Sequence, residues 1–261
     1  MEWWRAPIRY TIPAMDIMQT LWVAAVFALA GGVKGITGMG LPTVAMSLLG
    51  LWMPPAQAAA LLVIPSLSTN VAQCRGPHLR PLASRLWPGW LAIAMVTAFA
   101  PGLGGSSPTD AASRWLGCVL VGYGLWGLWR PTLPDLSQRG RWLGAVAGAA
   151  TGLITSMTAV FVLPWVPYLQ SLRLDKEATV QALGLSFTVA TLALAFRLQT
   201  SAPFGEVSDE TAWVLGGAMG GAFAGMKLGE MLRGRLAGPA FQKALFTVFI
   251  ALGVANLMRG G

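Results

Sequence analysis

Charge is what this sequence has least of: Asp, Glu, Lys and Arg make up 11% of its 261 residues, against about a quarter in an ordinary soluble domain. That shortage excludes the one or two soluble domains the length would otherwise allow, because too little polar sequence remains to coat even one. Histidine occurs once, as His78, with no partner nearby in the sequence. The two cysteines, Cys74 and Cys118, stand in neither a CxxC nor a Cys/His ligand spacing. Metal binding and Ser/His/Asp chemistry are thereby set aside, no cofactor motif is present, and both cysteines read as packed thiols. No acid, base and nucleophile cluster suggests an enzyme. The net charge of +8 does not point to nucleic acid either, since the cations fall in short clusters between apolar runs and not along one polar face.

What fills the chain is apolar sequence, 55% of all residues. Runs near the length of about 20 residues that spans a bilayer cover most of it. They are Ile17–Gly50, Ala56–Cys74, Leu86–Gly102, Arg114–Trp129, Trp142–Tyr168, Ala178–Phe196, Thr211–Leu232 and Phe241–Met258. Trp87, Trp90, Trp115, Trp129, Trp142 and Trp213 fall near the proposed ends, where an indole buries its body and wets its N–H. Met1 to Pro13 is amphipathic, and the apolar run after it lacks a cleavage pattern, so it reads as a retained first membrane segment. The expected fold is an all-α polytopic membrane protein, a single transmembrane domain over residues 1–261 with the lipid bilayer as its principal partner.

The first and fifth runs are too long for one crossing and carry helix-weakening clusters. One cluster is Gly31-Gly32-Val33-Lys34-Gly35-Ile36-Thr37-Gly38-Met39-Gly40-Leu41-Pro42; the other runs from Gly148 through Thr151, Gly152, Thr155 and Ser156 to Thr158. Glycine costs a helix about 1 kcal/mol and proline about 3 relative to alanine, so each cluster predicts a broken helix. Laying Gly35 on Gly152, with four residues inserted afterwards, brings Leu51-Trp52-Met53 onto Leu172-Arg173-Leu174. The chain thus reads as a duplicated four-segment unit, residues 16–130 and 141–259.

If each broken segment is a re-entrant hairpin, each unit makes three crossings and the second unit is inverted. One face then carries eleven cations, among them Arg75, Arg80, Arg85, Arg141, Arg173, Lys176, Arg233 and Arg235, and the other carries five, Arg5, Arg9, Arg114, Arg197 and Arg259. The positive-inside rule makes the first face cytoplasmic and places both termini outside an inner (plasma) membrane. A plain eight-crossing arrangement splits the same loops ten to six and stands as the alternative.

The first cluster, its echo near Gly152 and the Gly-rich third and seventh segments resemble the sulfite exporter TauE/SafE family over nearly the whole chain. The pattern GxxKGxTGxG at Gly31–Gly40 carries the resemblance; in the second copy Thr155, Ser156 and Met157 replace Gly38, Met39 and Gly40. The resemblance implies a transporter for sulfite and other sulfur-containing or organic anions such as sulfonates. A proton or cation is the candidate coupling ion, and the oligomeric state is open.

An anion at mid-membrane needs positive potential, which the N-termini of half-helices supply. Gly35, Thr37, Gly38, Met39 and Gly40 are the expected substrate contacts from the first break; Thr151, Gly152, Thr155 and Ser156 are those from the second. The alternative is that these glycines serve close helix packing. Lys34, deep in an apolar run, would balance the bound anion; the alternative is a structural Lys that snorkels or bonds carbonyls at the break. Asn70, Gln73 and Gln181 are pathway candidates or helix-to-helix bonds. Lys227 and Glu230, at i,i+3, form an expected ion pair or, alternatively, a proton relay. Other functional classes remain open beside this one: a carrier or channel for organic carboxylates, or a non-transport accessory subunit of the membrane.

Overall fold

The computed structural model describes residues 15–102, 109–129, 132–137, 141–201, 209–236 and 238–259. The amino-terminal stretch through Pro13 and the loop charges Arg130, Arg139 and Glu206 lie outside them. Among the described residues there are ten helices and no strand: α1 (Ile17–Thr37), α2 (Leu41–Leu49), α3 (Pro55–Gln73), α4 (Leu79–Phe99), α5 (Thr109–Trp129), α6 (Trp142–Thr158), α7 (Trp165–Ser171), α8 (Lys176–Ser201), α9 (Asp209–Leu236) and α10 (Pro239–Arg259). Two of the eight expected runs are each split, the first into α1 and α2 and the fifth into α6 and α7. Helices α1, α4, α8 and α10 are long and apolar enough to cross a membrane.

The bundle has a hydrophobic core, yet large apolar side chains also cover its exterior and a set of polar ones is buried within it. Trp22, Leu29, Leu91, Val146, Leu192 and Val254 face outward, while Lys34, Ser66, Thr69, Asn70, Thr155 and Ser156 are buried. An exterior of large aliphatic and aromatic groups over a partly polar interior is the solution for a chain solvated by lipid. Trp87, Trp115, Trp129, Trp142 and Trp213 are exposed as expected at segment ends. Trp90 is not, because its indole N–H turns inward and donates to Ser186 Oγ at 2.8 Å.

Capping explains where α1 starts and stops. Asp16 accepts from the Gln19 amide at 2.7 Å while the Gln19 side chain accepts from the Asp16 amide, closing a capping box. At the other end Gly38 adopts the left-handed conformation (φ 85°) and returns its N–H to Lys34 O at 2.7 Å. Gly40, also left-handed (φ 100°), then opens α2, whose first turn carries Pro42.

Four long-range pairings organise the bundle. Helices α1 and α9 run parallel, with Gly221 against Ala24, Gly225 against Ala28 and Gly229 against Gly32. Helices α4 and α6 do the same, Gly89 meeting Gly148, and Ile93 and Thr97 meeting Gly152. The pairs α3 with α8 and α5 with α10 are antiparallel: Ser66 meets Thr191 where Cys74 meets Thr188, and Gly117 meets Gly253 where Gly124 meets Ile250.

The expected break around Gly148–Thr158 is corrected. That stretch is continuous helix in α6, and the interruption falls just after it, between Ala159 and Pro164. Gly31, Gly32 and Gly35 are likewise helical, with only Gly38 to Gly40 outside the helices. Glycine is tolerated inside these helices because its missing side chain admits a neighbouring backbone: a Cβ on Gly31 would lie 2.2 Å from Ala222 O, and one on Gly152 would lie 3.0 Å from Ile93 O.

Candidate functional site

Lys34 is the eighteenth residue of α1, about 25 Å along it by helical rise, and only 1% of its surface is exposed. Its ammonium donates to Thr69 Oγ1 at 3.1 Å and to Asn70 Oδ1, both on α3. These are its hydrogen-bond partners among the described residues, and both are neutral. Asn70 in turn donates to Ser66 Oγ at 3.2 Å and across the helix pair to Thr191 Oγ1 at 3.3 Å. The Thr191 hydroxyl contacts Phe187 O at 2.7 Å, and Thr69 donates to Pro65 O at 2.8 Å. The buried Lys34 amino group is thus held where α1 meets the α3–α8 crossing by a network of neutral side chains.

The break beside it is closed by its own backbone and side chains. Thr37 Oγ1 lies 2.9 Å from Val33 O and 2.8 Å from Met39 O, and accepts the Met39 amide at 3.2 Å. Gln73 Nε2 donates to Gly38 O at 3.1 Å. Arg233, from the last turns of α9, places Nε and Nη2 on Gly35 O at 2.9 and 2.6 Å, satisfying a carbonyl at the negative end of α1. The face of Gly35 is filled by α9, a Cβ there standing 2.2 Å from Met226 O. Gly35 is therefore a packing position in this arrangement.

A cavity of about 700 Å³ opens onto the break. Thr37, Met39 and Gly40 line it from the break, Tyr123, Trp126, Phe246 and Phe249 form an aromatic wall, and Lys176, Glu230 and Arg233 bring charge to it. Lys34 does not line this cavity, although its neighbours Val33 and Ile36 do.

The second break opens with hydrogen bonds like those of the first. Thr158 Oγ1 donates to Ile154 O at 2.7 Å and accepts the Val160 amide at 3.2 Å. Ala159 is left-handed (φ 55°) and returns its amide to Thr155 O at 2.8 Å. Thr158, Ala159 and Val160 stand in the roles of Thr37, Gly38 and Met39, a spacing of 121 residues that also relates Asn70 to Thr191. The geometry therefore puts Gly152 opposite Gly31, four residues from the expected pairing with Gly35, and it puts Thr155 opposite Lys34. Thr155 donates to Thr151 O at 2.7 Å, and Ser156 to Pro101 O at 3.0 Å or Leu153 O at 2.8 Å. Thr151 Oγ1 is buried without a partner among the described residues. None of Thr151, Gly152, Thr155 and Ser156 lines the cavity at the first break.

Gln181 is fully engaged elsewhere, tying α8 to the loop after α3 through Cys74 O, Gly76 O and the His78 amide at 2.9, 3.0 and 3.0 Å. Lys227 and Glu230 are exposed, and no ion pair joins them among the described residues; Glu230 lines the cavity and Lys227 does not. Both cysteines are free. Among the described residues no group of His, Cys, Asp or Glu could hold a metal. Tyr123 and Arg233, which the sequence does not single out, reach the site only because α5 and α9 pack beside α1 and α2.

A bundle that is all-helical among the described residues, apolar outside and with a cluster of polar side chains and a lysine buried beside an interrupted helix, defines a multi-pass membrane protein with an internal polar site. The chain belongs to the sulfite exporter TauE/SafE family, whose profile, described as Sulfite exporter TauE/SafE, matches residues 23–256. It is accordingly a membrane transporter of the sulfite exporter type. No curated protein and no solved structure matches it.

Proposed function

We propose that this chain is a secondary transporter that carries sulfite or a small organosulfonate through a site at the α1–α2 break, with Lys34 balancing the bound anion. The observation that carries this reading is the Lys34 side chain, buried and, among the described residues, hydrogen-bonded only to the neutral side chains of Thr69 and Asn70. An ammonium in that setting costs several kcal/mol unless a negative charge joins it or water reaches it. A transported anion supplies that charge transiently. The start of α2 at Gly40, which carries no side-chain cap, adds the positive end of a helix dipole, and Thr37, Gly38 and Met39 complete the turn. In this reading Thr151, Gly152, Thr155 and Ser156 form the corresponding half-site of the second unit, and Asn70 and Gln73 brace the first.

The same reading makes the bundle two inverted units, each with a re-entrant first segment. Parallel packing of α1 on α9 sets the start of α1 opposite the end of α9, hence opposite the start of α10. Arg259, at the end of α10, bonds Gly50 O just after α2, so α2 finishes on the side where α1 began. By the same logic α7 returns to the side where α6 starts: the Leu136 amide of the preceding loop donates to Ser171 O at 2.9 Å, and Arg173 donates to Leu133 O at 3.1 Å. Helices matched by the repeat, α3 with α8 and α5 with α10, pack antiparallel, which is what inversion requires.

The functional test is uptake of radiolabelled sulfite by proteoliposomes, with taurine, sulfoacetate and carboxylates as unlabelled competitors. Uptake several-fold above empty liposomes, competed by sulfonates, is expected; folded protein that takes up no sulfite under any proton or sodium gradient rejects the substrate assignment. Topology is tested separately. An alkaline phosphatase fused after Gly261 is expected to be active, since both termini lie outside, and an inactive fusion with an active cytoplasmic reporter at the same position would reverse the orientation.

A further inference from the structure

The geometry points to Tyr123 as a substrate-binding residue whose hydroxyl donates to an oxygen of the oxyanion at the α1–α2 break; this rests on the site proposed above and extends it to α5. Tyr123 is 5% exposed, and its ring is fixed from three sides. Trp126 stacks on it at 6.2 Å, Phe246 meets it edge-on at 5.4 Å and Phe249 lies 5.6 Å away. A ring held so firmly sets the direction of its O–H. Buried phenols normally satisfy that O–H with an oxygen or nitrogen acceptor. Here the acceptor among the described residues is Met39 Sδ at 3.8 Å, and a thioether is a weak acceptor.

Tyr123 and Met39 line the same cavity as Gly40, the residue that opens α2. That helix begins without a side-chain cap, so the positive end of its dipole and the phenol lie on one space. A sulfite or sulfonate head carries three oxygens, one of which accepts from the phenol, and a charge-assisted O–H···O⁻ bond is stronger than the thioether contact it displaces. With 5% of its surface exposed, Tyr123 meets little competing water.

Tyr123→Phe removes one oxygen and keeps the ring contacts. In proteoliposomes its KM for sulfite is expected to rise about tenfold with Vmax within twofold of wild type and Tm unchanged. The upward shift of Tm that sulfite produces in wild type should shrink correspondingly. A KM within twofold of wild type overturns the inference, as does a fall in Vmax at unchanged KM, which would make the phenol a brace for Met39. A variant that cannot be purified folded overturns it too, since the hydroxyl would then be structural. Lys34→Ala assayed in parallel separates the two claims. If Lys34→Ala is inactive and Tyr123→Phe is normal, only the role of Tyr123 fails; if both transport like wild type, the site itself is misplaced.

Discussion

Lys34→Ala is expected to lower sulfite flux at least about 100-fold, roughly 2.7 kcal/mol of lost interaction with the anion in transit, while the protein stays folded and its Tm holds or rises. The two readouts move apart for a physical reason. Removing the ammonium takes away the charge that pairs with substrate in this reading, but it also relieves the fold of a buried amine that, among the described residues, bonds only neutral groups. Asn70 keeps its bonds to Ser66 and Thr191, and Thr69 keeps Pro65 O, so the α3–α8 crossing survives. Flux and thermal stability measured on the same preparation distinguish the roles. A lowered Tm with a proportionate loss of flux would mark Lys34 as a structural donor at the helix break, and flux within twofold of wild type would remove it from the site altogether. Lys34→Arg is not expected to rescue, because a planar, longer guanidinium cannot reproduce a point donor between Thr69 Oγ1 and Asn70 Oδ1.

Lys34 was legible because a cation deep in an apolar run stands out in any hydropathy reading. The segments were legible for the same reason. The breaks were legible only as regions. Glycine content located them to within a turn or two but misjudged which residues leave the helix, because propensity is a weak guide where lipid forces every backbone group to bond internally and a neighbouring helix fills the space a side chain would take. Gly31, Gly35 and Gly152 stay helical on that account. The second break rests on Ala159, a left-handed alanine, and no compositional signal announces one. The glycines align Gly152 with Gly35, whereas the similar hydrogen bonds of Thr37 and Thr158 align it with Gly31. Tyr123 and Arg233 were invisible for a different reason: their contacts are with residues 84 and 198 positions away in the chain, and nothing local encodes that proximity.

Gly225→Val is expected to abolish recovery of folded protein, whereas Gly220→Ala, five residues earlier on the same helix, is expected to be neutral or to raise Tm slightly. At Gly225 a Cβ would stand 2.0 Å from Ala28 O, and at Gly221 and Gly229 the corresponding distances to Ala24 O and Gly32 O are 2.3 and 2.2 Å. The pattern recurs every four residues along both helices, so α1 and α9 touch backbone to backbone over several turns. In lipid no hydrophobic drive holds helices together, and close van der Waals packing of such small-residue faces supplies the association. A valine there cannot be absorbed by a rotamer change, because the atoms it meets are carbonyls; the helices must separate, and every neighbouring glycine contact goes with them, a cost of roughly 3 kcal/mol or more. Gly220 faces open space, with nothing within 4 Å of a built Cβ, so alanine there gains up to about 1 kcal/mol of helix propensity. Size-exclusion profiles and Tm values in one detergent decide the matter: a Gly225→Val protein that elutes and melts like wild type would show that α1 and α9 do not pack this way. The consequence reaches the site, because α9 carries Arg233 to Gly35 O and Glu230 to the cavity. Gly225→Ala, which strains the same contact less, is therefore expected to lower flux together with Tm, the opposite of the divergence expected for Lys34→Ala.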